Sequence, residues 1–219
     1  MTAAQTLELL DWKRNVFSMY AAVRALEPEA GWKLWRETRA ELFRSHPQSP
    51  QPGYSGLSYY EYDPDARVLA ELEDLEAPPQ AIETSGPEPM LFKRLARAHF
   101  TLRGEELALE LDWLDSYGGG LFLCFRDVTS GQETYGGGRY LLDTVKGADL
   151  GEDHGKLVLD FNFAYNPSCA YDPSWVCPLA PPANRLAVAV EAGEKHNACA
   201  SSTHSGTRSP SSTGGCSSS

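Results

Sequence analysis

Histidine and cysteine are scarce in this sequence, at five residues each among 219. Outside the last 24 residues only His46, His99 and His154 remain, each far from the others. Seven residues separate Cys169 from Cys177, wider than usual zinc-ligand spacing, so no metal site is expected. Cys124 completes an odd set of three cysteines before the tail, which is a poor disulfide framework. Positive charge is short as well, with 19 basic against 30 acidic residues. No basic stripe offers itself to phosphates, so nucleic acid is not an expected partner. The acidic runs at Glu71, Glu73, Asp74 and Glu76, and at Glu105, Glu106 and Glu110, would repel DNA and anionic lipid alike and read as solvated faces.

Long apolar runs are also missing. No stretch approaches the roughly 20 residues that span a bilayer, so no membrane partner is expected. The first residues lack the basic, apolar and small-residue regions of a secretory signal, and a cytoplasmic location is the expectation. Thiols stay reduced there, so Cys169 and Cys177 are expected free. The chain has no phosphate-binding loop, no Gly-x-Ser-x-Gly elbow and no His-Glu-x-x-His. Its glycine triplets, 118–120 and 136–138, do not fit a dinucleotide fingerprint, since the second would need glycine where Leu141 stands. They read as bulges or close backbone approaches.

The last 24 residues, 196–219, hold nine Ser, three Gly and three Thr, with no aromatic or branched aliphatic residue. Ordering costs roughly 1–2 kcal/mol per residue, which such a segment cannot offset by burial, so a disordered Ser-rich tail is expected. Residues 1–195 are then one globular domain, with N-terminal helices in 1–45 and a β-rich core in 54–195. Leu9, Trp12, Val16, Met19, Val23 and Leu26 recur at steps of three and four and predict a first helix. Pro28 suits the first turn of a second, over about 29–44, which ends before Pro47 because a residue preceding proline avoids the helical region.

Beyond Pro47 the apolar period shifts towards two. Val68, Ala70 and Leu72 alternate with polar neighbours, as do Leu107, Leu109, Leu111 and Trp113. The latter follow Phe100 and Leu102 through Gly104, which predicts a hairpin. Residues 121–125 are apolar on both faces and predict a central strand. Further strands are expected at 132–142, 157–163 and 186–190. Many strands with no long helix between them argue an α+β, mainly β fold: an antiparallel barrel or sandwich preceded by two N-terminal α-helices.

The informative segment runs from Thr134 to Lys195. Strand alternation puts Leu157, Leu159, Phe161 and Phe163 on a core face, leaving Asp160 and Asn162 together on the other. A loop of about twenty residues, 164–184, follows; it carries five prolines, and its Tyr165, Tyr171 and Trp175 argue against disorder. Two roles stay open for these residues. Arg139, Tyr140, Asn162, Tyr165 and Asn166 could line a pocket for a small polar or anionic molecule, with Arg139 as a bidentate clamp and Asp160 as catalytic base or anchor. Alternatively Asp160 and its neighbours satisfy the loop's own backbone groups. A rival function is a non-enzymatic interaction module that uses the aromatic, Pro-rich loop 164–184. Residue patterns name no cofactor, no reaction and no oligomeric state.

At these residues the chain resembles a bacterial family known as domain of unknown function 1684. The resemblance rests on Trp35 with Arg39, on 46–50, on Gly56-Leu57 with Tyr59 and Tyr60, on 133–140, and most specifically on 160–195. It departs at Ala183, where glutamate is expected in the Pro-Pro-x-Asn-Arg-Leu stretch. It implies a single domain and brings no activity, cofactor or partner.

Overall fold

A computed structural model describes residues 2–51, 53–114 and 117–196 of the chain. Apart from His196, the Ser-rich tail lies outside the described residues. Helix α1 spans Ala3–Val23 and opens with a capping box, in which Thr2 Oγ1 accepts from Gln5 N at 3.2 Å and Gln5 Oε1 accepts from Thr2 N at 2.7 Å. It ends three residues before Leu26, which is exposed rather than part of the apolar stripe. Helix α2 spans Pro28–Ser45, with Pro28 in its first turn and His46 extended ahead of Pro47. The two helices form a hairpin. Gly31 permits their close approach, since a Cβ there would lie 3.1 Å from Val23 O.

Among the described residues one curled antiparallel sheet of eight strands follows, open at both edges as a half-barrel. Its strands are β1 (Arg67–Asp74), β2 (Gln80–Ile82), β3 (Met90–Leu102), β4 (Glu105–Trp113), β5 (Leu121–Phe125), β6 (Arg139–Asp143), β7 (Glu152–Asp153) and β8 (Lys156–Asp160). They run in the order β6-β5-β4-β3-β1-β8-β7, with β2 beside β3. The β3–β4 hairpin turns at Arg103 and Gly104, both at positive φ, with Leu102 opposite Glu105. The fold is thus α+β and mainly β after the helices.

Three strand expectations need correction. Residues 132–138 turn rather than extend: Thr134 N and Glu133 N both bond back to Thr129 O, and the strand begins only at Arg139. Strand β8 stops at Asp160, because the Asp160 carboxylate accepts from Asn162 N and starts a 3-10 turn over Phe161–Phe163. Strand alternation therefore ends before Asn162. Residues 186–190 form no regular strand. They run parallel to 126–128, with Leu186 N bonded to Arg126 O at 2.8 Å and Val128 N to Val188 O at 3.2 Å.

The sheet buries both faces. The concave core holds Leu109, Leu111, Leu123, Phe125, Leu159 and Phe161, among others. On the other face Ile82, Phe92, Phe122, Cys124 and Tyr140 pack under the loop that carries Cys177 and Ala180. A β-bulge at Leu141 divides β6: Leu123 pairs with Leu142 and Cys124 with Tyr140, so Leu141 and Leu142 both enter the core while Tyr140 turns to the loop. The helical hairpin closes one end, packing Trp32 and Trp35 on Phe163 and Ala148.

Candidate functional site

Where the helical hairpin, the end of β6 and the long loop meet, they leave a pocket of about 660 Å³ with the solvent space at its mouth included. Its apolar wall comes from Trp12, Val16 and Met19 of α1 and from Leu42 and Phe43 of α2. Tyr140, Tyr165 and Asn166 form much of the opposite side. Tyr140 and Tyr165 are fixed by mutual backbone bonds of 2.8 and 3.0 Å, with their rings edge-on at 5.8 Å. Tyr140 Oη donates to Pro178 O at 2.7 Å and so ties β6 to the loop.

Arg39 is the pocket's buried cation. Helical spacing from Trp32 and Trp35 places it on the inner face of α2, where its guanidinium lies 5.0 Å from the Trp35 ring, 5.1 Å from Phe43 and 5.0 Å from Tyr165. Nη2 donates to Glu194 Oε2 at 2.8 Å and Nε to Tyr59 Oη at 3.3 Å, which leaves Nη1 without a protein partner among the described residues. Burial opposes its charge, but the oxygens of Tyr59, Glu194 and Tyr171 outweigh that and raise its pKa further. Glu194 is fully buried, and its carboxylate also accepts from Asn166 N at 3.0 Å and from Tyr171 Oη. Backbone pairing holds it there: Glu194 N bonds to Ala164 O at 2.8 Å, and Tyr60 N to Gly193 O at 2.9 Å.

Asn166 donates Nδ2 to Lys195 O at 3.0 Å, while its Oδ1 is buried with no partner. A buried acceptor left unmade costs roughly 1–3 kcal/mol, so this atom is the site's open valence. At the mouth, exposed Lys146 sits 3.1 Å from Asp143 Oδ2. Arg39, Asp143, Lys146, Cys177 and Glu194 carry no role in the sequence-based expectation. For Arg39 and Glu194 the available signal is their place in the segments that carry the family resemblance.

The remaining candidates lie elsewhere. Arg139 is fully buried; it donates to Asp127 Oδ2 at 2.7 Å, to Val190 O at 3.0 Å and to Ala192 O. Burial lowers its pKa despite Asp127, and its donors are occupied in clasping the last segment to β6. Asp160 Oδ1 accepts from Asn162 N at 3.0 Å and Nδ2 at 2.9 Å, while Asn162 ties Asp63 N at 2.9 Å and Asp63 O at 2.7 Å. Asp160 also borders a shallow cleft between Arg24 and Arg67, whose lining holds no histidine, cysteine or hydroxyl nucleophile. Burial raises its pKa to about 6 against the bonds from Asn162. Asn184, in the Pro-Pro-x-Asn-Arg-Leu stretch, is likewise a cross-link: it accepts from Glu110 N and donates to Glu110 O and Cys124 O at 2.7–2.9 Å. Ala183 beside it is exposed.

Fold and site define a curled antiparallel half-barrel closed at one end by a helical hairpin, with a pocket between hairpin and loop. The family description "Protein of unknown function (DUF1684)" matches residues 52–195, and the chain belongs to that family. It is similar to the solution NMR structure of an uncharacterised protein from Haloarcula marismortui, at 34% identity over 76% of this chain and 93% of that one, with a TM-score of 0.54. No curated protein matches the sequence. Among the described residues no helix is long and apolar enough to cross a membrane, and no group of three or more His, Cys, Asp or Glu could hold a metal ion.

Proposed function

We propose that the protein binds a small organic molecule in the pocket between the helical hairpin and the loop, with Tyr140, Tyr165 and Asn166 as ligand contacts and Arg39 and Lys146 as cations. The observation that carries this reading is the unpartnered, buried Oδ1 of Asn166 in a pocket whose wall is largely apolar and aromatic. Such an atom is satisfied by a ligand N–H or O–H. The apolar wall favours a ring-bearing body, and Lys146 at the mouth with the unused Nη1 of Arg39 favours an anionic or acceptor head. Arg139, Asp160 and Asn162 serve as scaffold in this reading, because the Arg139 guanidinium, Asp160 Oδ1 and the Asn162 amide bond within the chain. Tyr171 packs edge-on against Phe43 and Trp175 on the cluster under the loop, which favours the pocket over an interaction surface on loop 164–184.

A test uses 8-anilino-1-naphthalenesulfonate, which combines an aromatic body, an N–H and an anionic head. The native protein should bind it saturably with 1:1 stoichiometry. Val16→Trp fills the pocket from α1 and should weaken binding at least roughly tenfold, equivalent to about 1.4 kcal/mol, with an unchanged circular dichroism spectrum. Lys146→Glu should weaken it by a smaller factor. Equal binding by the Val16→Trp variant, or none by the native protein, overturns the pocket as the site.

A further inference from the structure

Cys169 and Cys177 come together although the sequence between them has no regular structure beyond one turn. Cys169 lies on the 3-10 turn Ser168–Ala170 and is half-buried. Cys177 is buried behind it, in the same cluster as Ile82 and Tyr140, and forms part of the pocket wall. Cys169 packs against that same buried cluster, which brings the two cysteine side chains together beneath the loop. Both are free thiols.

Two hydroxyls complete the surroundings of Cys169. Tyr135 Oη is 3.6 Å from its Sγ, and the Ser85 hydroxyl reaches the same sulfur. Ser85 is itself positioned by the loop, accepting from Cys177 N and donating to Trp175 O, both at 3.0 Å. The Tyr135 hydroxyl and the neighbouring Cys177 thiol are thus available as donors to a single half-exposed sulfur, an arrangement that stabilises a thiolate. The bond from Cys177 leads in lowering the Cys169 thiol to about 6, and the same contact raises that of Cys177. The Lys146 cation acts in the opposite sense on Cys177, favouring its thiolate. Cys124, by contrast, is buried among apolar groups and its pKa is raised by that burial.

We propose that Cys169 and Cys177 are a reactive dithiol, converted reversibly to an intramolecular disulfide by small organic disulfides. The Cys169 thiolate attacks one sulfur of R–S–S–R, forming a Cys169–S–R bond and releasing R–S⁻, which takes a proton from water. Cys177 gives its proton to solvent and attacks Cys169 Sγ, breaking that bond and releasing the second R–S⁻. The second R–S⁻ also takes a proton from water; counting the proton Cys169 gave up on ionising, the protein loses two electrons and two protons and the small disulfide becomes two thiols. The new bond closes the loop that carries Tyr171, whose hydroxyl holds Glu194, so oxidation tethers one wall of the pocket. The proposal stands whether or not the pocket takes a ligand.

The test exposes the reduced full-length chain to glutathione disulfide at pH 6, blocks remaining thiols with N-ethylmaleimide and maps each cysteine by peptide mass spectrometry. At that pH Cys169 should exchange roughly tenfold faster than free glutathione thiol, because its larger thiolate fraction outweighs its lower intrinsic nucleophilicity. The native chain should yield a Cys169–Cys177 disulfide without a retained glutathione, reversed by dithiothreitol. Cys177→Ser, with Cys177→Ala as a second variant, should trap glutathione on Cys169. In Cys169→Ser, Cys177 should stay unmodified while the chain is folded. A pair that stays reduced while other cysteines react, or that reacts only in denaturant, overturns the proposal, as does first attack at Cys177. Dye binding by the reduced chain is measured separately, so loss of the pocket reading leaves this outcome intact.

Discussion

Arg39 on the second helix donates to Glu194 near the end of the described chain at 2.8 Å, across 155 residues of sequence. Both side chains are nearly inaccessible, at 11% and 1% exposure. The pair holds the helical hairpin against the segment that runs between Tyr60 and Ala164. Removing one partner leaves a buried charge uncompensated, so Arg39→Met should cost about 3–5 kcal/mol in urea unfolding. Arg39→Met with Glu194→Gln should cost clearly less than the two single changes added together. Strict additivity would show that the two groups do not stabilise each other.

Asp112 on β4 is buried, accepts from Gln80 Nε2 at 2.7 Å and lies near Glu110. Burial raises its pKa to about 6, above its value in an unfolded chain. The folded state therefore binds the proton more tightly. The cost of holding the ionised group is present in full above pH 6 and fades as pH falls towards 4. Asp112→Asn keeps an oxygen for Gln80 and removes the charge. The variant should be more stable than the native protein by about 1–3 kcal/mol at pH 7.5, with the difference vanishing near pH 4. Denaturant melts across that range check it, and a difference that grew towards low pH would contradict it.

Asp160 and Asn162 can be separated from the pocket by paired measurements. Asp160→Asn retains an acceptor for both Asn162 bonds and should cost less than about 1 kcal/mol. Asp160→Ala and Asn162→Ala should each cost about 1–3 kcal/mol, the latter because Asp63 N and O lose their partner. None of the three should alter dye binding at a concentration where the protein stays folded. Loss of binding in Asp160→Asn without loss of stability would move Asp160 into the site.

Gly193 precedes Glu194 at φ +79°, and a Cβ there would lie 2.6 Å from Ala164 O and 2.7 Å from Phe161 O. Backbone oxygens cannot swing away as a side chain can. Gly193→Ala should therefore cost at least about 2 kcal/mol, combining strain at positive φ with overpacking. A thermal midpoint equal to the native one would show that the segment moves freely.

Local patterns were legible where the cause of structure is local. The apolar stripe of the first helix, the stop of the second before Pro47 and the hairpin at Gly104 follow from side-chain period, proline sterics and turn chemistry. The expected strand over 132–142 failed because apolar alternation does not record the Thr129 turn that absorbs Glu133 and Thr134. Alternation also placed Asp160 and Asn162 on one open face. A strand pattern does not show that the first will cap a 3-10 turn that contains the second.

Of the six candidate site residues, Tyr140, Tyr165 and Asn166 meet in the pocket, while Arg139, Asp160 and Asn162 are spent within the chain. The sequence by itself determined the helices, most of the strands, the antiparallel β-rich class and the segment worth attention, since all of these rest on neighbours within a few residues. Only the tertiary structure decided which polar groups are paired. Whether Arg139 finds Asp127, or Asn166 leaves an oxygen unmade, depends on where distant backbone comes to rest, and a buried hydrogen bond forms or fails over about an ångström.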